Sequence, residues 1–450
     1  MRTLFRNKPE TSRERYPELV NMISLPVDKA RPWLPPAALA GAQLALGSSW
    51  VLLGILAARQ TLAPSLAALA WVHLVALGWL TLTALAILFH VIPGFMDVAI
   101  PVEGFARGML WVFMGGVAVL VAGFWSSEPM WIAWGGVALT LGLLGTGVPL
   151  SVAVATQAIA QRRARARQGG TRTRNPAAPF VVAFASVFIA LLLAAGIGLA
   201  MAGGLASWWP AAALALAAVH AHLAAGGWLS LLVMGVSMRT LVRITRVRRS
   251  HPILHVAAST GFLAGIAILA IGLAIGAPIV SGAGAVAAAL ALIAYVVDAG
   301  RMLLVSRDPH AVVRAFLGCS LGYLLVTIAL GLLVLAGRTD LAPAYAYVAL
   351  VGWLGQMVVG HLHHIGIRFV ITRVRGEDDE TEPVEVLSAP LSWTTWATAQ
   401  AAVALGTAGL VLALAPVVLI AAACGFLSWL ALLANAFRAA RAARLSPLHP

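Results

Sequence analysis

The chain has 450 residues, of which 61% are apolar and 10% charged, whereas soluble proteins carry about a quarter charged residues. That composition excludes a set of ordinary soluble domains, of which this length would accommodate about three. A net charge of +14 could point to nucleic acid, but the basic residues sit in short loops between apolar runs, so the charge reports topology and no nucleic-acid partner is expected.

Taken in chain order, residues 1–35 are polar, with Arg2, Arg6, Lys8, Arg13 and Arg15, and read as a cytoplasmic arm without the apolar core of a secretory signal. Twelve runs long enough to span a bilayer, roughly 20 residues each, follow at 36–58, 65–92, 107–125, 131–160, 179–203, 210–238, 253–276, 281–304, 313–336, 342–370, 391–413 and 415–437, and 438–450 reads as a cytoplasmic tail. Basic residues fall on both termini and on every second loop, as in Arg162 to Arg174 and Arg239 to Arg249; only Arg59 and Arg338 lie on the other side. The positive-inside rule then puts both termini in the cytoplasm. The expectation is an all-α, multi-pass protein of the bacterial cytoplasmic membrane, with lipid as its first partner. Cys319 and Cys424 fall inside spans and read as small apolar residues; the acidic run from Glu377 to Glu385 reads as a solvated loop.

Histidine carries the functional signal. His73 in the second span is followed by Gly78 and Trp79, and His222 in the sixth by Gly227 and Trp228 at the same offsets. The tenth span repeats the pair as Gly352 and Trp353, with Tyr347 where the histidine would be and His361, His363 and His364 further on. The interval is four spans each time, which predicts three four-helix units in a pseudo-threefold design, each giving its second helix to the centre. Intramembrane histidines are costly and mark a site by default, and imidazole suits iron and copper alike. His90 lies about 25 Å from His73 along one helix, so either the helices are staggered or there are two levels: an outer one with His73 and His222, and an inner one with His90, His361, His363 and His364. His220, two residues before His222, projects to the other face and reads as structural or as a reserve ligand.

Twelve spans in three units, with histidines on the second, sixth and tenth, resemble the catalytic subunit of the haem-copper oxidases. The stretch HLVALGWLTLTALAILFHVIP is similar to the second helix of its compact relatives, and HLAAGGWLSLLVMGVSMR, with His222, Gly227, Gly235 and Arg239, is similar to a helix of the NnrS family, linked to nitric oxide stress. The resemblance implies b-type haem, one or two groups, with His73 and His363 on a low-spin iron, His361 on a reactive one, and His222 on haem iron or copper. The oxidase copper site also takes an adjacent histidine pair from the seventh helix; here that span has only His255, so a standard three-histidine copper site is not expected.

Other residues are read from their surroundings. Arg239 and Arg368, near inner helix ends, snorkel or hold a haem propionate. Gly78 and Gly227 either make room for a macrocycle or let helices close. Asp298 pairs with Arg301 on its own helix, and His251, His255, His310 and His449 are solvated. The function expected is a haem protein handling nitric oxide or dioxygen, served by a redox donor. Its rivals are a transmembrane electron conduit without substrate chemistry, and a transporter or channel, against which the scarcity of buried carboxylates weighs.

Overall fold

The computed structural model describes residues 34–445 apart from 97, 99, 168–177, 248–251, 308–309, 377–378 and 380; the arm up to residue 33, His251 and His449 lie outside the described residues. Twelve long rods follow one another, and no strand occurs among the described residues. The unbroken ones are Leu34–Ala58 (first), Glu103–Ser126 (third), Pro129–Arg167 (fourth), Ala178–Leu205 (fifth), Pro252–Ala274 (seventh), Pro278–Leu304 (eighth), Ala311–Leu335 (ninth), Ala389–Val411 (eleventh) and Ala415–Leu445 (twelfth). Eleven of the twelve are long and apolar enough to cross a membrane, and the chain is an all-α polytopic membrane protein. The eleventh rod is set apart by Ser392, Thr394, Thr395, Thr398 and Gln400 in its first half, although 23 residues reach about 35 Å. The twelfth continues to Leu445, so most of the segment read from sequence as a tail is helix.

The second, sixth and tenth rods differ from the rest. Each changes from α- to π-helix in mid-course, at Leu74–Thr81, Leu223–Ser230 and Val348–Gly355. Each of these three π-segments has eight residues, begins directly after His73, His222 or Tyr347, and carries Gly-Trp-Leu at its fifth to seventh positions; the tenth rod has a further, five-residue π-segment, Leu362–Gly366, which holds His363 and His364. π-Turns are rare and cluster at functional sites. The three π-segments touch one another pairwise, which puts these rods at the middle of the bundle, with Trp79, Trp353, Tyr295 and Tyr347 fully buried around them.

The outer rods pack as close pairs: third on fourth, seventh on eighth, eleventh on twelfth, and the twelfth returns to the first. Lipid tails are as apolar as leucine, so helices in a membrane associate by van der Waals fit, and small residues allow the fit. A Cβ on Gly135 would stand 2.4 Å from the Leu120 backbone nitrogen, and one on Gly284 2.2 Å from that of Leu269. Gly78 and Gly227 behave alike: an added Cβ would lie 2.9 Å from the Ala45 methyl and 2.7 Å from the Ala190 methyl, respectively. Of the two readings offered for them, helix packing is the one the contacts support.

Candidate functional site

Directly before the π-segments, the three central rods meet ring to ring. His220 of the sixth rod lies against His73 of the second, ring centres 6.2 Å apart and planes 22° off parallel. Tyr345 of the tenth rod lies 6.3 Å from His222 of the sixth, and Trp71 of the second stacks at 5.7 Å on Tyr347 of the tenth. In each pair, the residue two positions before the aligned site of one rod meets the aligned residue of another, and the three pairs close a ring. His220, which reads from the sequence as structural or as a reserve ligand because it faces away from His222, thereby reaches His73. Trp71 and Tyr345 at the same offset were the signal that would have placed it.

Their ring nitrogens have settled roles. Nδ1 of His73 lies 2.8 Å from the Leu69 carbonyl, that of His222 2.8 Å from Ala218, and that of His220 2.9 Å from Ala194 across to the fifth rod. A carbonyl only accepts, so each Nδ1 carries the proton and each Nε2 keeps its lone pair. A hydrogen bond of this kind orients a metal-ligating histidine. Phe124 stacks on His73 at 4.7 Å and fixes its plane.

One level on, the tryptophans repeat the ring pattern by hydrogen bonds. Trp228 Nε1 donates to Thr81 Oγ1 at 3.0 Å, and Trp353 Nε1 donates to Ser230 Oγ at 3.2 Å. By the same step Trp79 would donate to the last residue of the third π-segment, but that residue is Gly355, and Trp79 Nε1 is buried without a partner. The Trp79 ring fills the vacant side: a Cβ on Gly355 would stand 2.8 Å from it.

The inner level is polar. Nδ1 of His361 donates to the Met357 carbonyl at 2.8 Å and that of His363 to Val359 at 2.9 Å, but the two Nε2 atoms fare differently. That of His361 is engaged by Thr240 Oγ1 at 3.0 Å; that of His363, 1% exposed, has no hydrogen-bond partner and lies beside Phe316. Of the two histidines expected to serve different irons, His363 is therefore the one with an open lone pair. His364 is buried, with Nδ1 unpartnered, 6.4 Å from His310; His90 stands edge-on to Phe369. The pairing of His73 with His363 on one iron does not occur. His73 is level with Tyr347, and His363 lies sixteen residues further along the tenth rod, roughly 24 Å, whereas two imidazole nitrogens on one metal stand about 4 Å apart.

Arginines border the inner level, and a loop holds them. Arg368 donates to the carbonyls of Thr381 and Asp379, so the side chain expected to snorkel or meet a propionate is occupied by backbone. Arg375 donates to Thr381 Oγ1 and the Ala443 carbonyl, and Arg246 pairs with Glu382 at 3.0 Å. The segment read as a solvated acidic loop is thus tied to helix ends. The Arg243 guanidinium is brought down to about 10, by burial first and then by neighbouring Arg368, with Glu382 opposing. The side chain of Arg239 lies outside the described residues.

Two further expectations are overturned. His255 and His310 are buried, at 0% and 6% exposure. Asp298 turns from Arg301, which is exposed, to His255, with Nδ1 3.2 Å from Oδ2. Among the described residues no group of three or more His, Cys, Asp or Glu could hold a metal ion, so a bound metal would draw on one or two imidazoles and on a ligand set of its own, as haem iron does. Compared with known proteins, the chain matches no family model and no curated protein.

Proposed function

We propose that the chain is a haem-binding protein of the cytoplasmic membrane, with pseudo-threefold organisation and cytoplasmic termini, that handles nitric oxide or dioxygen. The observation that carries the reading is the graded series of pairs between the central rods. His73 faces His220, His222 faces Tyr345, and Tyr347 faces Trp71. A metal bonded through both Nε2 atoms holds two imidazole ring centres about 6 Å apart, from a bond of about 2.0–2.1 Å on each side, and His73 and His220 stand at 6.2 Å. On this reading His73 and His220 would hold haem iron between them. His222 has no second imidazole opposite, so it would be the ligand that leaves a bound haem free to take a diatomic; the third seam offers no imidazole, since the Trp71 indole N–H only donates and the Tyr347 hydroxyl donates to the Ala402 carbonyl.

Haem supplies reversible one-electron chemistry and an open axial site when bound; the protein supplies axial ligands, fixed tautomers and a dry surround. The resemblance to the oxidase catalytic subunit points the same way, without a three-histidine copper site. A second reading is favoured by one observation, the buried and unpartnered Nε2 of His363. An inner haem there would make the chain an electron conduit across the bilayer.

The test is a reduced-minus-oxidised visible spectrum of the purified protein in detergent, repeated after carbon monoxide. Low-spin bands together with a component shifted by carbon monoxide are expected. Low-spin bands indifferent to the gas would favour the conduit, and a preparation without haem absorbance would overturn both and revive a transporter.

A further inference from the structure

At the inner end of the seam between the sixth and tenth rods lies a basic pocket that the haem reading does not use. The apolar span of the sixth rod ends at Ser237, and the rod runs on to Thr245. Arg243 therefore sits about 9 Å past the span, at the depth of lipid headgroups. Ser230 meets Trp353 at one level of this seam and Thr240 meets His361 further in, so the two rods run in the same direction. Residues three or four apart share a helix face. One turn beyond the Thr240–His361 contact, Arg243 of the sixth rod and His364 of the tenth thus face each other, and a turn beyond them stand Arg246 and Arg368, close enough for their charges to reach across.

The two groups that meet across the seam lack partners. Arg243 is largely buried and makes no hydrogen bond or ion pair to a described residue. His364 is 8% exposed, with Nδ1 unpartnered; a flip of the ring exchanges its two nitrogens, so either can turn to a ligand. The charges near Arg243 do not satisfy it: Arg368 repels it, and Glu382, which attracts it, is held at 3.0 Å by Arg246. Arg368 and Arg375 differ, since backbone carbonyls and Thr381 Oγ1 occupy them. A guanidinium taken out of water without a partner is strongly disfavoured, and an anion is what would complete the pocket. The planar fork of a guanidinium binds two oxygens at once, and the imidazole adds a donor from the opposite rod. A phosphate group has oxygens enough for both, whereas a carboxylate spends its two on the fork.

We propose that Arg243 and His364 form a phosphate-binding site at the inner end of the sixth and tenth rods, bordered by Arg246 and Glu382, which takes the phosphate of an anionic lipid headgroup or free phosphate. Basic pockets between helices on this side of a membrane suit such groups. The inference stands apart from haem binding.

The experiment is thermal unfolding of the full chain in a phosphorus-free sugar detergent at constant ionic strength, with inorganic phosphate in one arm and short-chain phosphatidylglycerol in the other. A ligand that binds the native state raises the midpoint with its concentration. A saturating rise is expected in at least one arm: with phosphate it assigns the free ion, and with phosphatidylglycerol alone it assigns the headgroup. This step needs no substitution, so misfolding cannot mask it, and a midpoint indifferent to both ligands would overturn the site. Phosphorus-31 resonance of the bound ligand then locates it. Arg243→Gln is expected to weaken binding at least tenfold, through loss of a charge-assisted hydrogen bond, and Arg243→Lys, which keeps the charge without the fork, several-fold. Binding undiminished in Arg243→Gln or His364→Gln would overturn the assignment, as would its loss in Arg338→Gln, whose exposed guanidinium pairs with Asp340 at the other end of the bundle.

Discussion

The two histidine levels differ in what their nitrogens meet, although four of their histidines, His73, His222, His361 and His363, make the same local bond, Nδ1–H to the carbonyl one turn back. In the outer level the histidines face rings, and none of His73, His220 and His222 has a hydrogen bond at Nε2 among the described residues. In the inner level Thr240 engages His361, the His363 lone pair is buried without a partner, and arginines held by a loop form the border. The lesson is that the helix sets the tautomer, while the neighbouring rod decides whether the free nitrogen is open for ligation or already satisfied.

The largest test of this contrast is spectroscopic. His220→Ala should remove the low-spin bands as completely as His73→Ala, and His363→Ala should leave them in place; the reverse outcome would move the low-spin centre to the inner level. A smaller effect separates the tryptophans. Trp228→Phe should cost about 1 kcal/mol, the usual net value of a hydrogen bond, with a further penalty if Thr81 is left unsatisfied, whereas Trp79→Phe surrenders no hydrogen bond and should cost less. Unfolding of both variants in the same detergent measures the difference, and equal losses would break the ring described here.

Near neutrality the smallest effect comes from the inner level. Burial pushes His310 from 6.5 down to about 4, so the native state binds fewer protons than the unfolded one between those values. Its contribution is present above pH 6.5 and is lost as pH falls toward 4. Stability should decline on acidification through this window, and His310→Gln should flatten the slope. A slope that persists unchanged would assign the acid sensitivity elsewhere.

Much of this architecture was legible because membrane burial simplifies the code. Apolar runs marked most rod ends to within a few residues, with the fourth, sixth and twelfth rods running seven or eight residues further, and the equal offsets of His73 and His222 to Gly-Trp located the central ones. What escaped was tertiary. His220 does face away from His222, but that side of the sixth rod looks onto the second, which no single helix discloses. His255 was read as solvated because it follows a basic stretch, and only the packing of three rods brings Asp298 and Met234 to its ring. The π-segments have no propensity signature of their own. Three of them coincide with the repeated LVALGWLT, LAAGGWLS and VALVGWLG, so the repeat was visible but its geometry was not; the fourth, Leu362–Gly366, follows no repeat.

The unpaired indole of Trp79 ranks the seams of the bundle by their ease of local opening. At the tryptophan level the contacts between second and sixth rods and between sixth and tenth rods are each fastened by a directed bond, while tenth and second meet there by van der Waals contact alone. Sub-global openings start where the fewest bonds must be broken together. The breathing of the bundle is therefore lopsided, with the tenth rod able to ease from the second while both stay fastened to the sixth.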